Sequence, residues 1–296
     1  MTSLLDISDL NVTFETRFRS VSAVRGVSLS VAQGESVALV GASGSGKTVL
    51  GRSILGLVDE PGVVRGSIIF DGKQIVGRSE ADFRDIRGVG VAMVFQDALD
   101  GLNPVYSVGS QLSEILTVRL GYPRARARER AIELMEQVGI RDPEGRYNNY
   151  PHQFSGGMRQ RICIALAVGM QPKLLIADEP TTALDVTVQA GILRLIKQLQ
   201  SETGMGLIFV THDLAVAREV SDRMVVMYNG QIVEEGATED VFLRPQHPYT
   251  KALLSAHPAR ARSWRDLEPI PDEFVTDGPA AGAQTVAAPA PTASIG

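Results

Sequence analysis

The chain has 296 residues, of which 29 are basic and 34 acidic, and its formal net charge is −5. Hydrophobic residues make up 44% and charged residues 21%, which is typical of a globular protein and excludes a wholly disordered or collagen-like chain. No stretch reaches the ~18 apolar residues of a membrane-spanning helix, and the acidic balance argues against a protein whose main task is to grip nucleic acid.

Short apolar runs alternate with helical patterns along most of the chain, which predicts an α/β fold with a largely parallel sheet. Near the N-terminus, alternation with a period of two residues predicts antiparallel strands at 4–14 and 21–31. A helix is expected at 48–57. Further strands are expected at residues 36–40, 67–70, 89–95, 173–177, 207–210 and 223–228.

The region between residues 95 and 172 differs, because it has helical patterns but no strand. Helices are expected at 107–120, 124–138 and 157–170. Together they predict an all-α subdomain, at about residues 97–171, inserted into the α/β core.

The last segment, residues 258–296, contains six prolines and nine alanines. Such a segment cannot bury enough apolar surface to offset the entropy lost on ordering, so we expect it to be mostly disordered. The chain is therefore expected to consist of one domain at residues 1–257 and a C-terminal extension.

A glycine-rich segment follows the expected strand at 36–40 and fits the pattern G-x-x-x-x-G-K-[ST]. Glycines let several backbone N–H groups point inward together and bind phosphate, and the next helix adds the positive end of its dipole. A lysine adds positive charge, and a threonine hydroxyl can coordinate Mg²⁺. The segment predicts a nucleotide site made of Gly41, Ala42, Ser43, Gly44, Ser45, Gly46, Lys47 and Thr48.

Two carboxylates, Asp178 and Glu179, end a predicted strand. A carboxylate at a strand end beside a phosphate loop can hold Mg²⁺, which suits Asp178, and its neighbour Glu179 can polarise an attacking water as a general base. The alternative is a solvated turn, because Pro180 follows. His212, at the end of another predicted strand, is either a capping or packing residue or a contact for the γ-phosphate.

A second anion-binding turn opens the helix expected at 157–170, with Ser155 as its cap and Gly156 and Gly157 as donors of exposed N–H groups. With Gln160, this segment resembles the signature motif of the ATPase subunits of ABC transporters. The other motifs follow in the order of that family. Residues 41–48 resemble Walker A, Gln96 the Q-loop glutamine, Asp178 the end of Walker B, Glu179 the catalytic glutamate, Asp185 the D-loop aspartate and His212 the switch histidine.

This resemblance implies a P-loop ATPase fold with an antiparallel β subdomain, and ATP and Mg²⁺ as its cofactors. It implies that Glu179, His212, Lys47 and Gln96 are catalytic, that Thr48, Gln96 and Asp178 hold the metal, and that Asp185 contacts nucleotide. It also implies that two such domains sandwich two ATP molecules, each between the Walker A of one domain and the signature of the other. The second anion site would then serve the ATP of the partner.

Three segments, at 102–104, 151–158 and 247–254, resemble the first ATPase subunit of oligopeptide, dipeptide and nickel importers. This implies peptide uptake through two permease subunits, with a sister ATPase in a heterodimer and an extracytoplasmic solute-binding protein. Nucleic acid is not expected as a partner. The alternatives are an importer of another solute such as nickel, or a soluble ABC-type ATPase acting on nucleic acid or the ribosome.

The setting that this implies is the cytoplasmic face of the cell membrane, with peripheral attachment. An N-terminus without a secretory signal and a single cysteine, Cys163, agree with a reducing compartment. In the family that this chain resembles, many relatives continue with a cysteine-bearing C-terminal segment that can hold an iron–sulfur cluster. This chain has no cysteine there, so no such cluster is expected.

The family stacks an aromatic residue from the early strands on adenine. Phe18 and Phe14 are both candidates, and the spacing back from residues 26–28 favours Phe18. Either ring could instead belong to the core.

Overall fold

A computed structural model describes residues 3–16, 19–96, 101–182 and 184–256, together with Pro271 and Phe274. Most of the predicted C-terminal extension therefore lies outside the described residues. The strands are β1 (Ser3–Glu15), β2 (Ser20–Ala32), β3 (Ser36–Val40), β4 (Gly62–Phe70), β5 (Lys73–Gln74), β6 (Val91–Val94), β7 (Leu174–Asp178), β8 (Gly206–Thr211), β9 (Arg223–Tyr228) and β10 (Gln231–Ala237). The helices are α1 (Lys47–Ile54), α2 (Glu80–Phe83), α3 (Val108–Leu120), α4 (Arg124–Gln137), α5 (Pro143–Arg146), α6 (Gly156–Val168), α7 (Val186–Thr203), α8 (Leu214–Val220), α9 (Thr238–Leu243) and α10 (Pro248–Ser255).

The strands form two sheets. A four-stranded sheet has the order β2-β1-β4-β5, and each of its neighbouring pairs is antiparallel. A six-stranded sheet has the order β10-β9-β3-β8-β7-β6, in which β10 runs antiparallel to β9 and the other neighbours run parallel. The prediction of an α/β core with an antiparallel β subdomain is confirmed.

The parallel sheet is covered on both faces, as continuous apolar strands require. Every residue of β3, β7 and β8 is buried. Leu174 and Ile176 of β7 belong to a buried cluster with Leu50 of α1 and the antiparallel sheet. Leu175 and Ala177 alternate with them and belong to a second cluster with α3, α4, α6 and α7. The residues of β7 therefore alternate between apolar clusters on the two faces of the sheet.

The parallel strands bring three predicted segments to one edge of the sheet. β3 ends at Val40, before the glycine-rich loop, β7 ends at Asp178, and β8 ends at Thr211, next to His212. The register pairs Val40 with Thr211 and Asp178 with Val210, so these ends are neighbours. Ligands of open parallel sheets bind at the carboxyl edge of the strands.

Helices α3 to α6 lie between β6 and β7 in the chain, where the sequence predicts a helical insertion. Helix α3 packs on α4, and both contact α6. Arg126, Arg128 and Arg130 of α4 form ion pairs with nearby glutamates, including Arg130 with Glu133 at 2.8 Å, which is the pattern of a solvated helix face. Within the described ranges, no helix has the length and apolarity that crossing a bilayer requires.

A reciprocal hydrogen-bond pair at the opposite edge of the sheet gives a stability prediction. Asp222 Oδ2 accepts the Ser36 N–H at 3.0 Å and the Ser36 hydroxyl at 2.6 Å, and Ser36 is buried. The variant Asp222→Ala leaves both donors unpaired, so we expect the free energy of unfolding to fall by about 2 kcal/mol. Asp222→Asn keeps one acceptor oxygen and should lose less. Urea denaturation measures both, and equal losses would contradict this account.

Candidate functional site

Residues 41–48 form a loop whose backbone requires glycine. Gly41 and Gly46 have positive φ angles of 155° and 101°, which other residues rarely adopt. An added Cβ would lie 2.2 Å from the Met227 carbonyl oxygen at Gly41 and 2.3 Å from the Ala23 carbonyl oxygen at Gly46. The remaining loop residues differ in exposure: Ser43 and Gly44 are exposed, Ala42 and Thr48 half-buried, and Ser45 and Lys47 buried. The loop leads directly into the N-terminus of α1, where free N–H groups favour an anion.

Lys47 places its ammonium inside this loop. Its Nζ donates to the carbonyl oxygens of Gly41 at 2.8 Å and Ala42 at 2.9 Å, and the residue is 4% exposed. Burial lowers the pKa of Lys47, while the carboxylates of Glu179 and Asp178 oppose that shift. A buried positive charge therefore lies between the loop backbone and the end of β7.

Thr48 and Asp178 meet beside the loop, where the Thr48 hydroxyl donates to Asp178 Oδ1 at 3.1 Å. Asp178 is 2% exposed, and its burial raises the pKa of the carboxyl group, which the Thr48 hydrogen bond partly offsets. A cation would stabilise the charge of this carboxylate, and hydroxyl and carboxylate oxygens are ligands that suit Mg²⁺. In the part of the chain that the structure describes, no three His, Cys, Asp or Glu residues group as a metal site. Thr48 and Asp178 therefore offer part of the set of ligands that a Mg²⁺ ion requires.

Glu179 is surrounded by three side chains at the end of β7. Its Oε1 lies 3.1 Å from His212 Nδ1, while its Oε2 accepts the Thr182 hydroxyl at 2.9 Å and the Gln96 amide at 3.4 Å. The Glu179 side chain is 15% exposed, so it still reaches solvent. The structure thus brings two of the predicted residues, Gln96 and His212, into contact with a third, Glu179.

Thr182 is a site residue that no sequence motif indicated. The Thr182 N–H donates to the Glu179 carbonyl oxygen at 3.1 Å, and this turn folds the Thr182 hydroxyl back onto the Glu179 carboxylate. Threonine in a turn after an acidic residue is too common for its spacing to have been a signal.

The segment that begins α6 has the geometry of an exposed anion site. Ser155 is exposed and caps the helix, since its Oγ accepts the Met158 N–H at 3.4 Å. Gly156 and Gly157 are half-buried, and a Cβ at Gly157 would lie 2.4 Å from Val188 Cγ1 in α7. Gly157 therefore allows α6 and α7 to pack closely, while the residues at the start of α6 keep part of their surface exposed.

Two predicted nucleotide contacts, Gln160 and Asp185, differ in how far they are buried. Gln160 is 3% exposed, and its Nε2 has no hydrogen-bond partner among the described residues. Gln160 is buried one turn into α6, and its contact with nucleotide stays a prediction. Asp185 is exposed and caps α7 by accepting the Val188 N–H at 3.0 Å. Its contact with nucleotide stays a prediction.

The two candidates for adenine stacking are separated by their positions. Phe18 lies outside the described residues, so its role stays a prediction. Phe14 is half-buried and packs on the cluster of α1 and the antiparallel sheet. Its Cε1 lies 2.9 Å from the position of a Cβ added at Gly62. These contacts match the alternative in which Phe14 belongs to the core.

Two family models match the sequence. One, described as ABC transporter, matches residues 24–182, and the other, described as the C-terminal region of oligopeptide/dipeptide transporters, matches residues 233–278. The chain is 48% identical over 274 residues to the oligopeptide transport ATP-binding protein OppD of Bacillus subtilis, covering 92% of this chain and 76% of that protein. It is 48% identical over 269 residues to the dipeptide transport ATP-binding protein DppD of Haemophilus influenzae, covering 90% of this chain and 82% of that protein.

Solved structures give the same relationship. The dimeric post-hydrolysis state of the ATP-binding cassette MJ0796, bound to ADP and Pi, aligns with a TM-score of 0.71 and 27% identity, covering 79% of this chain and 98% of that one. The cbiO1 protein of Clostridium perfringens, part of the ABC transporter complex cbiONQ, aligns with a TM-score of 0.70 and 28% identity. That alignment covers 82% of this chain and 92% of the other.

Proposed function

We infer the function of this chain from the premise that it belongs to the ABC transporter family and is an ATPase. We propose that it hydrolyses ATP to power the uptake of oligopeptides or dipeptides. The observation that carries this proposal is the presence in one chain of the ATPase match at 24–182 and the peptide-transporter match at 233–278. The 48% identity to ATP-binding proteins named for oligopeptide and dipeptide transport supports it.

In this proposal, the loop at 41–48 binds the phosphates of ATP. Its backbone and the N-terminus of α1 supply N–H donors, and Lys47 supplies positive charge. The Lys47 ammonium donates to two backbone carbonyl oxygens, and phosphate oxygens are stronger acceptors for it because they are charged. Phe18 stacks on the adenine ring, and Asp185 contacts nucleotide at the D-loop.

Glu179 acts as the general base that takes a proton from the attacking water. The hydrogen bonds from Thr182 and Gln96 to Oε2 fix one carboxylate oxygen and leave the other near His212. His212 and Gln96 therefore lie where both can respond to the γ-phosphate. The pairing of a base with neighbours that orient it is what this chemistry requires.

Thr48 and Asp178 would hold Mg²⁺, with Gln96 as a further ligand. When bound, the metal supplies positive charge that offsets the charge of the β- and γ-phosphates. Asp178 contributes a buried carboxylate whose charge is otherwise disfavoured, and Thr48 keeps its oxygen 3.1 Å away. Water and phosphate oxygens complete the shell, as is usual for this ion.

The variant Thr48→Val tests the metal site. It keeps the shape of the side chain but removes its oxygen, so the Mg²⁺ concentration for half-maximal MgATP binding should rise by about tenfold, the effect of one lost ligand contact. Binding of ATP in EDTA should change little. Ser53→Ala is the matched control, because that hydroxyl lies in the same helix and donates to the Val49 carbonyl oxygen. An unchanged Mg²⁺ requirement in Thr48→Val would exclude its hydroxyl as a ligand.

The partners in this proposal are two permease subunits, a sister ATPase and an extracytoplasmic binding protein, with the chain attached peripherally at the membrane. Val105 and Tyr106 are 70% and 57% exposed in the loop that joins β6 to α3. Exposed apolar residues in the segment that follows Gln96 in the chain suit a contact that transmits movement from the nucleotide site to a permease. The predicted domain at 1–257, with its insertion at about 97–171, is the unit that makes this contact.

Affinity purification of the tagged chain from membranes, followed by reconstitution in liposomes, tests the transport function. The chain should co-purify with permeases. When ATP is enclosed inside the liposomes, on the side of the ATPase subunits, a labelled peptide should accumulate inside them. Glu179→Gln complexes should assemble and fail to transport. Accumulation of nickel instead of peptide would overturn the peptide assignment, and co-purification with ribosomes or nucleic acid alone would overturn transport.

A further inference from the structure

A hydrogen bond joins the C-terminal part of the chain to the phosphate loop. Tyr249, in the first turn of α10, is fully buried, and its hydroxyl oxygen accepts the Ala42 N–H at 2.9 Å. The two residues are 207 positions apart. Ala42 lies in the region matched by one family model and Tyr249 in the region matched by the other. The C-terminal region therefore contacts the backbone of the nucleotide site directly.

The peptide group between Gly41 and Ala42 is held on one side by this contact and on the other by Lys47. Its N–H donates to Tyr249, and its carbonyl oxygen, on Gly41, accepts Lys47 Nζ at 2.8 Å. Because a peptide group is planar, fixing the direction of the N–H also fixes the direction of the carbonyl. The Tyr249 hydroxyl thus sets the orientation of the carbonyl that Lys47 contacts.

The Tyr249 ring is itself held in place by aromatic neighbours. Its centroid lies 4.4 Å from that of Tyr228 in β9 and 5.7 Å from that of Phe274, and Phe274 packs edge-on against both rings. Burial raises the pKa of the Tyr249 hydroxyl, although the Ala42 hydrogen bond opposes the shift. The group therefore stays neutral near pH 7 and presents its oxygen to Ala42 from a fixed position.

We propose that Tyr249 is a positioning residue for ATP binding, through which the C-terminal region sets the conformation of the phosphate loop. The proposal rests on the proposed role of residues 41–48 as the nucleotide site. A loop that is already ordered loses less conformational freedom when a ligand binds, and this raises affinity. Without the hydroxyl, the Gly41–Ala42 peptide is held through its carbonyl by Lys47 alone, and part of the binding energy is spent on ordering it.

The variant Tyr249→Phe removes the hydroxyl and keeps the ring. We expect the Kd of the full chain for MgATP to rise by about three- to tenfold, as for the loss of one neutral hydrogen bond. Isothermal titration at a temperature where circular dichroism shows both proteins folded measures this change. In the assembled complex, KM for ATP should rise while kcat stays near that of the wild type, because Tyr249 contacts none of the reacting groups.

Thr250→Val is the matched control. Thr250 is fully buried in the same helix, and its Oγ1 has no hydrogen-bond partner among the described residues, so removing this hydroxyl should leave the Kd unchanged. If Tyr249→Phe lowers the unfolding temperature but binds MgATP as tightly as Thr250→Val, the role of Tyr249 is structural and the inference is wrong. Equal weakening in both variants would also overturn it. If the wild type and Lys47→Ala bind MgATP equally, the proposed nucleotide site fails instead.

Discussion

Replacing Glu179 with glutamine is expected to lower ATP turnover of the assembled complex by a factor of about 10² to 10⁴, the contribution of a general base. The amide cannot accept the proton of the attacking water. It keeps an oxygen for the Thr182 hydroxyl and the Gln96 amide, so the surrounding geometry should persist. The Kd for MgATP should therefore stay within about twofold of the wild type, as expected when an interaction made in the transition state is lost.

Steady-state phosphate release and equilibrium binding of MgATP on the same preparation measure the two effects. Glu239→Gln is the matched control, because Glu239 is an exposed carboxylate paired with Arg218 at 2.8 Å. Normal turnover in Glu179→Gln would remove Glu179 from catalysis. Equal loss of binding and turnover would show that Glu179 maintains the structure of the site.

The phosphate loop could be predicted residue by residue, because its chemistry and its backbone both depend on local sequence. Gly41 and Gly46 are required by positive φ angles and by carbonyl oxygens at the position of any Cβ. Similarly, the fully buried and mostly apolar β3 and β7 could be found from continuous hydrophobic runs, and their parallel pairing with β8 places Asp178 and His212 at one edge.

Contacts that join distant segments could not be predicted. The Tyr249 hydroxyl reaches Ala42 across 207 residues, and nothing near either residue indicates the other. The burial of Gln160 could not be predicted either, because the motif that contains it does not show which face of α6 packs against the core. Helix α7 was missed although its signals are present. Asp185 caps it, and Ile192, Ile196 and Leu199 follow the helical spacing.

Replacing Ser155 with arginine is expected to lower ATP turnover of the assembled complex by at least about 100-fold, comparable to the loss of an essential donor to the transition state. We propose, as the family resemblance implies, that the N–H groups at the start of α6 bind the ATP held by the partner ATPase. A long side chain at the exposed Ser155 prevents the phosphate from approaching those N–H groups. The substitution also removes the Ser155 Oγ that caps α6 by accepting the Met158 N–H. The free energy of unfolding should fall by about 1 kcal/mol, and the fold should stay intact.

Binding of MgATP to the isolated chain should be unchanged in Ser155→Arg. The reason is that the phosphate loop of the same chain lies against β2, β7, β9 and α10. Its neighbours there are Ala23, Asp178, Met227 and Tyr249. Normal binding with lost turnover would therefore show that Ser155 acts on a nucleotide outside its own loop. Ser79→Arg is the control, since Ser79 is an exposed serine at the start of α2 and lies in neither motif. Full turnover in Ser155→Arg, or weakened binding in the isolated chain, would exclude an ATP pocket shared between two chains.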